Sequence, residues 1–128
     1  MDDWHYRNQV TRIKHLTSFW SKKMGLSNIT LRYVYDRTGA SFDAALGTPA
    51  SCGTDWRYEF ATITFNMPSV KGLSNKELEQ TVVHEFCHIY LDEVTRGADG
   101  LACTGELLAH EERVVTQLAK AFIRVKGA

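Results

Sequence analysis

The sequence predicts one α+β domain: an amino-terminal helix, a small, mostly antiparallel twisted sheet, and two further helices towards the carboxyl terminus. Three observations carry this reading. Both ends of the chain place apolar residues at helical spacing, the stretch from Ile29 to Phe65 contains runs of period two, and a capping box opens a new helical run at residue 75. With 128 residues, 44% of them hydrophobic, the chain can bury a core unaided, because a domain of roughly 150 residues removes about two-thirds of its unfolded surface from water. No Pro-, Gly- or Ser-rich linker, internal repeat or low-complexity run interrupts residues 1–128, which read as a single domain.

Residues 3–24 form the first helix, with Tyr6, Val10, Ile13, Trp20 and Met24 on one stripe and Gly25 able to end it. Ile29, Leu31, Tyr33 and Tyr35 alternate with Thr30, Arg32 and Val34 in an aromatic and β-branched strand. Phe42, Ala44 and Leu46 alternate again before a loop from Gly47 to Gly53, and Arg57 to Phe65 makes a third run closed by Pro68. Ser74 and Glu77 have the spacing of a capping box, flanked by Leu73 and Leu78 as a hydrophobic staple. The helix they open is expected to run to about Thr95, where Gly97 and Gly100 break it. A last helix, from about Thr104 to Val125, carries Leu108, Val115, Leu118 and Phe122 on its seam, with Glu111 in the remaining slot.

Composition narrows the function. Fifteen Lys and Arg balance fifteen Asp and Glu, so the global attraction to phosphate that marks a nucleic-acid binder is missing. The first 25 residues do carry a local excess of basic side chains interleaved with Trp4 and Trp20, which reads as a solvated helix face over an aromatic core. No run approaches the 18 apolar residues of a membrane span, and the acidic start is unlike a secretory signal. Three cysteines, Cys52, Cys87 and Cys103, without a C-x-x-C pair, point to reduced thiols, and the expectation is a cytoplasmic protein.

The chemistry is concentrated in His84-Glu85-Phe86-Cys87-His88, an H-E-x-x-H pattern inside the capped helix. Composition alone would produce it on the order of 0.01 times in such a chain. Four residues is slightly more than one helical turn, so both imidazoles project from one face and can meet a single cation. Glu85 can lie beside that cation without binding it, placed to take a proton from an activated water. Cys87, between the histidines, reads as a small buried thiol, and Asp92, one turn after His88, as a solvated acid near the helix end, with orientation of that imidazole as the alternative.

A catalytic zinc site needs a third protein ligand and an open position, and His110, Glu111 and Glu112 are the candidates. An acid in a core-facing slot is costly without a partner, which favours Glu111. Its height agrees, because His88 precedes Thr95 by seven residues and Glu111 follows Thr104 by seven, so in an antiparallel hairpin each lies about 10 Å from the turn. His110 and Glu112 stay open, since a one-residue change of register would exchange them.

The order of strand, capped H-E-x-x-H helix, loop and glutamate-bearing helix resembles the gluzincin metallopeptidases, the group that includes thermolysin. More narrowly it resembles the minigluzincin and ImmA/IrrE-type peptidases, whose final helix carries an acidic ligand before an apolar, alanine-containing stretch, here Glu111 to Ala119. The resemblance covers about residues 55–125. It implies a zincin-like fold, His84, His88 and Glu111 as ligands of Zn2+, and Glu85 as general base. It also implies that the strand from Arg57 to Phe65 is an exposed edge pairing with substrate. The SprT-like proteins share H-E-x-x-H, but resemblance to them would predict a third histidine ligand, for which His110 is the candidate, and often a cysteine-pair zinc ribbon. The gluzincin resemblance therefore ranks first.

The expected function is zinc-dependent hydrolysis of peptide bonds, with a protein or peptide in extended conformation as partner and no membrane or nucleic acid. The alternative is a catalytically weak or inactive metal-stabilised binding or regulatory module, as in a phage or repressor system. A fourth protein ligand, such as Cys87 or His110, would favour that alternative.

Overall fold

The computed structural model of the chain describes residues 1–55, 59–92 and 105–126. Among them are four helices and a three-stranded sheet: α1 (Asp3–Lys23), β1 (Thr30–Asp36), β2 (Ala50–Asp55), β3 (Phe60–Asn66), α2 (Met67–Lys71), α3 (Asn75–Asp92) and α4 (Gly105–Lys126). The α+β class follows directly, and none of these helices is long and apolar enough to cross a membrane. The expected ends of the active-site helix beyond Asp92, the Gly97 and Gly100 breakers, Cys103 and Arg57 lie outside the described residues.

Helix α1 is capped by Asp2, whose side chain accepts from the His5 backbone N–H. It buries Gln9, Ile13, Thr17 and Trp20, spaced by three or four residues, with Tyr6 and Val10 partly covered beside them. The two tryptophans divide: Trp20 is buried and donates its indole N–H to Glu79 at 2.9 Å, whereas Trp4 is 69% exposed.

The sheet order is β1-β3-β2, with β1 parallel and β2 antiparallel to β3. The sheet is therefore mixed, where a mostly antiparallel one was expected. β3 is its centre, not an edge, because Ile63 pairs with Tyr33 on one side and Cys52 on the other. Ala61, Ile63 and Phe65 point into the core, and burial of each of the larger two is worth about 1.5–3 kcal/mol.

The second strand is also displaced from its expected place. Residues 42–46 make turns: Asp43 accepts from the Ala45 backbone N–H, and the φ angles of Gly39 and Gly47 are 75° and 60°. A Cβ at Gly39 would come within 2.6 Å of the Asn66 side chain, so this loop needs a glycine there. Pairing with β3 instead draws Ala50–Asp55 into the sheet, although its first four residues, 50–53, belong to the loop expected from Gly47 to Gly53. Pro68, expected to close a strand, begins the short helix α2.

Helix α3 starts on the predicted capping box. The Glu77 backbone N–H donates to Ser74 Oγ at 3.1 Å, and the Ser74 N–H donates to Glu77 Oε1 at 3.0 Å. Leu78, Val82, Phe86 and Ile89 bury one side of α3, which packs against α1, β2 and α4. On α4 the covered seam is Glu111, Val115 and Ala119, with Ile123 partly buried. Leu118 and Phe122, expected on that seam, are exposed at 38% and 36%, because a strict step of four residues follows α3 closely. The side chain of Leu108 lies outside the described residues.

Candidate metal centre

The core-facing side of α3 sets the orientation of its other side, where His84 and His88 stand one turn apart with ring centroids 5.0 Å from each other. Helix α4 crosses this face and brings up two successive glutamates. Because neighbouring helical residues point about 100° apart, the two meet the histidines differently. Glu112, exposed, lays its carboxylate across both Nε2 atoms: Oε2 is 3.1 Å from His84 and Oε1 is 2.8 Å from His88. Glu111, buried on the seam, approaches the opposite nitrogen, its Oε1 lying 3.4 Å from His88 Nδ1.

Two donor groups result. His84, His88 and Glu112 form one, and His88, Asp92 and Glu111 the other, each with one ligand atom per residue within 4.8 Å of the rest. The first joins both imidazoles to a carboxylate at the rim of the protein. Two nitrogens and a carboxylate oxygen match the protein donor set of a catalytic zinc. The second group is wholly buried. Asp92, read from sequence as solvated, is 1% exposed, accepts from Thr54 Oγ1 at 3.1 Å and lies 4.0 Å from His88 Nδ1. The one-turn spacing from His88 offers this place as the alternative reading of Asp92, and burial rather than solvation is what the structure shows.

Burial holds the His84 imidazole below its ordinary pKa, against the opposing pull of the Glu112 charge, which keeps its Nε2 lone pair available to a cation. Burial also pushes Glu85 up to about 7, with the nearby His88 acting the other way. Glu85 is 6% exposed and joins His84 at one end of a groove between α3 and the start of β2. A carboxyl with proton affinity near neutrality, beside this candidate pair of metal-binding imidazoles, is suited to accept and return a proton. Cys87 is buried at 2% in the core cluster. Among the described residues, neither Cys87 nor His110, which is exposed on α4, belongs to either donor group.

The β2 strand is the sheet edge beside this helix. The Asn66 N–H donates to the Pro49 carbonyl, so by the alternation of an antiparallel ladder Ser51, Gly53 and Asp55 bond inward to β3, and the intervening residues, Ala50 and Thr54 among them, turn their backbone groups away from β3.

A family model, that of the SprT-like family, matches residues 2–103. No curated protein and no solved structure matches the chain.

Proposed function

This chain belongs to the SprT-like family, and from that membership and the donor set on α3 and α4 we propose that it is a zinc metallopeptidase acting on extended protein segments. The family carries metallopeptidase-like character, and it is the resemblance ranked second from sequence. The observation that carries the proposal is the placement of His84 Nε2, His88 Nε2 and the Glu112 carboxylate around one point, with Glu85 beside them.

In this reading His84 and His88 hold the metal, and Glu112 supplies the third ligand in place of Glu111. The gluzincin resemblance contributes the kind of third ligand, a carboxylate where SprT-like proteins were expected to use histidine. Glu111 orients His88 by accepting from its Nδ1–H, with the Asp92 carboxylate 4.0 Å away adding its charge on the same side, which leaves Nε2 for the metal. Zinc bound there would supply Lewis-acid activation of water and polarisation of the scissile carbonyl. Glu85 takes the proton from the attacking water and delivers it to the leaving amine. The substrate backbone pairs with the outer side of β2 at its Ala50 end, β2 being an edge strand among the described residues, in place of the edge role expected of the strand that is now central.

The test is a preparation of the chain loaded with zinc and given an unfolded protein such as reduced casein. Expected are one zinc per chain, cleavage abolished by a chelator and restored by zinc, and loss of both zinc and cleavage in His84→Ala and His88→Ala. Full zinc content in either variant, or no cleavage by the loaded chain, would overturn the proposal.

A further inference from the structure

The groove that ends at His84 has a volume of 340 Å³ and continues along α3 towards its amino terminus. Pro49, Ala50 and Leu73 give it apolar walls, while Glu77 and Gln80 line it from the helix. Glu77 and His84 are seven residues apart, nearly two full turns, so they share a face of α3 about 10 Å apart. An extended chain advances about 3.3 Å per residue, so that distance spans about three residues of an extended peptide lying in the groove past the start of β2.

Glu77 is exposed, and among the described residues its carboxylate bonds only Ser74, with no Lys or Arg paired to it. The bond from the Ser74 N–H fixes one oxygen, Oε1. The capping box thus anchors a negative charge in the groove, and the apolar walls beside it suit a methylene stem. A lysine or arginine side chain has both parts in the required order.

Resting on the peptidase reading above, we propose that Glu77 is a specificity-determining residue that selects substrates with lysine or arginine within about three residues of the scissile bond. The basic head group pairs with the Glu77 carboxylate while the stem covers Leu73 and Pro49.

The experiment uses the zinc-loaded full chain and two quenched fluorescent peptides that differ only by lysine or norleucine, scanned over three positions on each side of the cleaved bond. Norleucine keeps the stem and removes the charge. At one position lysine should raise kcat/KM by about two- to fivefold, the range expected of an exposed ion pair. Glu77→Gln should bring that ratio to near one, since glutamine also serves a capping box and the helix start is kept. High salt should do the same to the wild type. Equal cleavage of the two peptides at every position, or an unchanged ratio in Glu77→Gln, would overturn this inference and leave the peptidase reading standing. Failure of the loaded chain to cleave any peptide or casein would overturn both.

Discussion

Glu111 Oε1 lies 3.4 Å from His88 Nδ1, while the next residue of the same helix, Glu112, meets the Nε2 of that ring at 2.8 Å. Two successive glutamates thus address opposite nitrogens of one imidazole, and their roles can be separated. Glu112→Ala removes a proposed ligand and should weaken zinc binding by more than Glu111→Ala, for which loss of ring orientation costs about 10- to 100-fold. Chelator competition measures both. A larger loss in Glu111→Ala would return the third-ligand role to that residue, and a loss confined to His110→Ala would point to a three-histidine site.

Glu85→Gln should keep zinc and the fold but reduce hydrolysis by about 10²- to 10⁴-fold, because the amide cannot accept the proton of the attacking water. Turnover numbers on casein fragments, with zinc content measured on the same sample, check this. Unchanged turnover would remove Glu85 from the mechanism.

The capping box makes stability depend on pH in a stated direction. Its bonds from Ser74 hold the Glu77 carboxyl below its ordinary pKa, so the ionised form stabilises the fold above the unfolded value. That contribution is lost as pH falls through the lowered folded value. Glu77→Gln should flatten the acid limb of a plot of melting temperature against pH. Ser74→Ala, which removes the cap oxygen, should cost about 1 kcal/mol at neutral pH in denaturant titrations. Parallel acid limbs in wild type and Glu77→Gln would show that the bond has no thermodynamic weight.

Cys87 lies between the two histidines in sequence but faces the core, where burial pushes its thiol up to about 11. It should resist alkylation by iodoacetamide at neutral pH until the protein unfolds, and Cys87→Ala should retain zinc. Rapid labelling of the folded chain at Cys87, read by peptide mass, would contradict this placement.

Chelation should lower the melting temperature of the zinc-loaded chain, because a ligand bound only to the folded state stabilises it by mass action, by about 4 kcal/mol at a thousandfold excess over Kd. Scanning calorimetry with and without chelator gives the difference. An unchanged melting temperature would mean that the metal does not bind the folded state preferentially.

What the residues alone determined is local. Helical period, the Ser74 and Glu77 box, and the four-residue separation of His84 and His88 depend on chain geometry within one element, so the boundaries of α1, the start of α3 and the shared face of the histidine pair were all legible. The gluzincin ranking rested on a carboxylate at residue 111, whereas the family match ends at residue 103, before α4 begins. What only the tertiary structure decided is between elements. Whether Ala50–Asp55 is loop or strand depends on β3 lying within hydrogen-bonding distance, and whether β3 is edge or centre depends on β1 pairing in parallel across a long stretch of sequence. The rotation of α4 against α3 follows from packing Val115 and Ala119 on the core, and that rotation sends Glu112 to the Nε2 atoms and Glu111 to the buried side. A helix's own periodicity defines which residues share a face, but the angle of that face to a neighbour is set by contacts made only on folding.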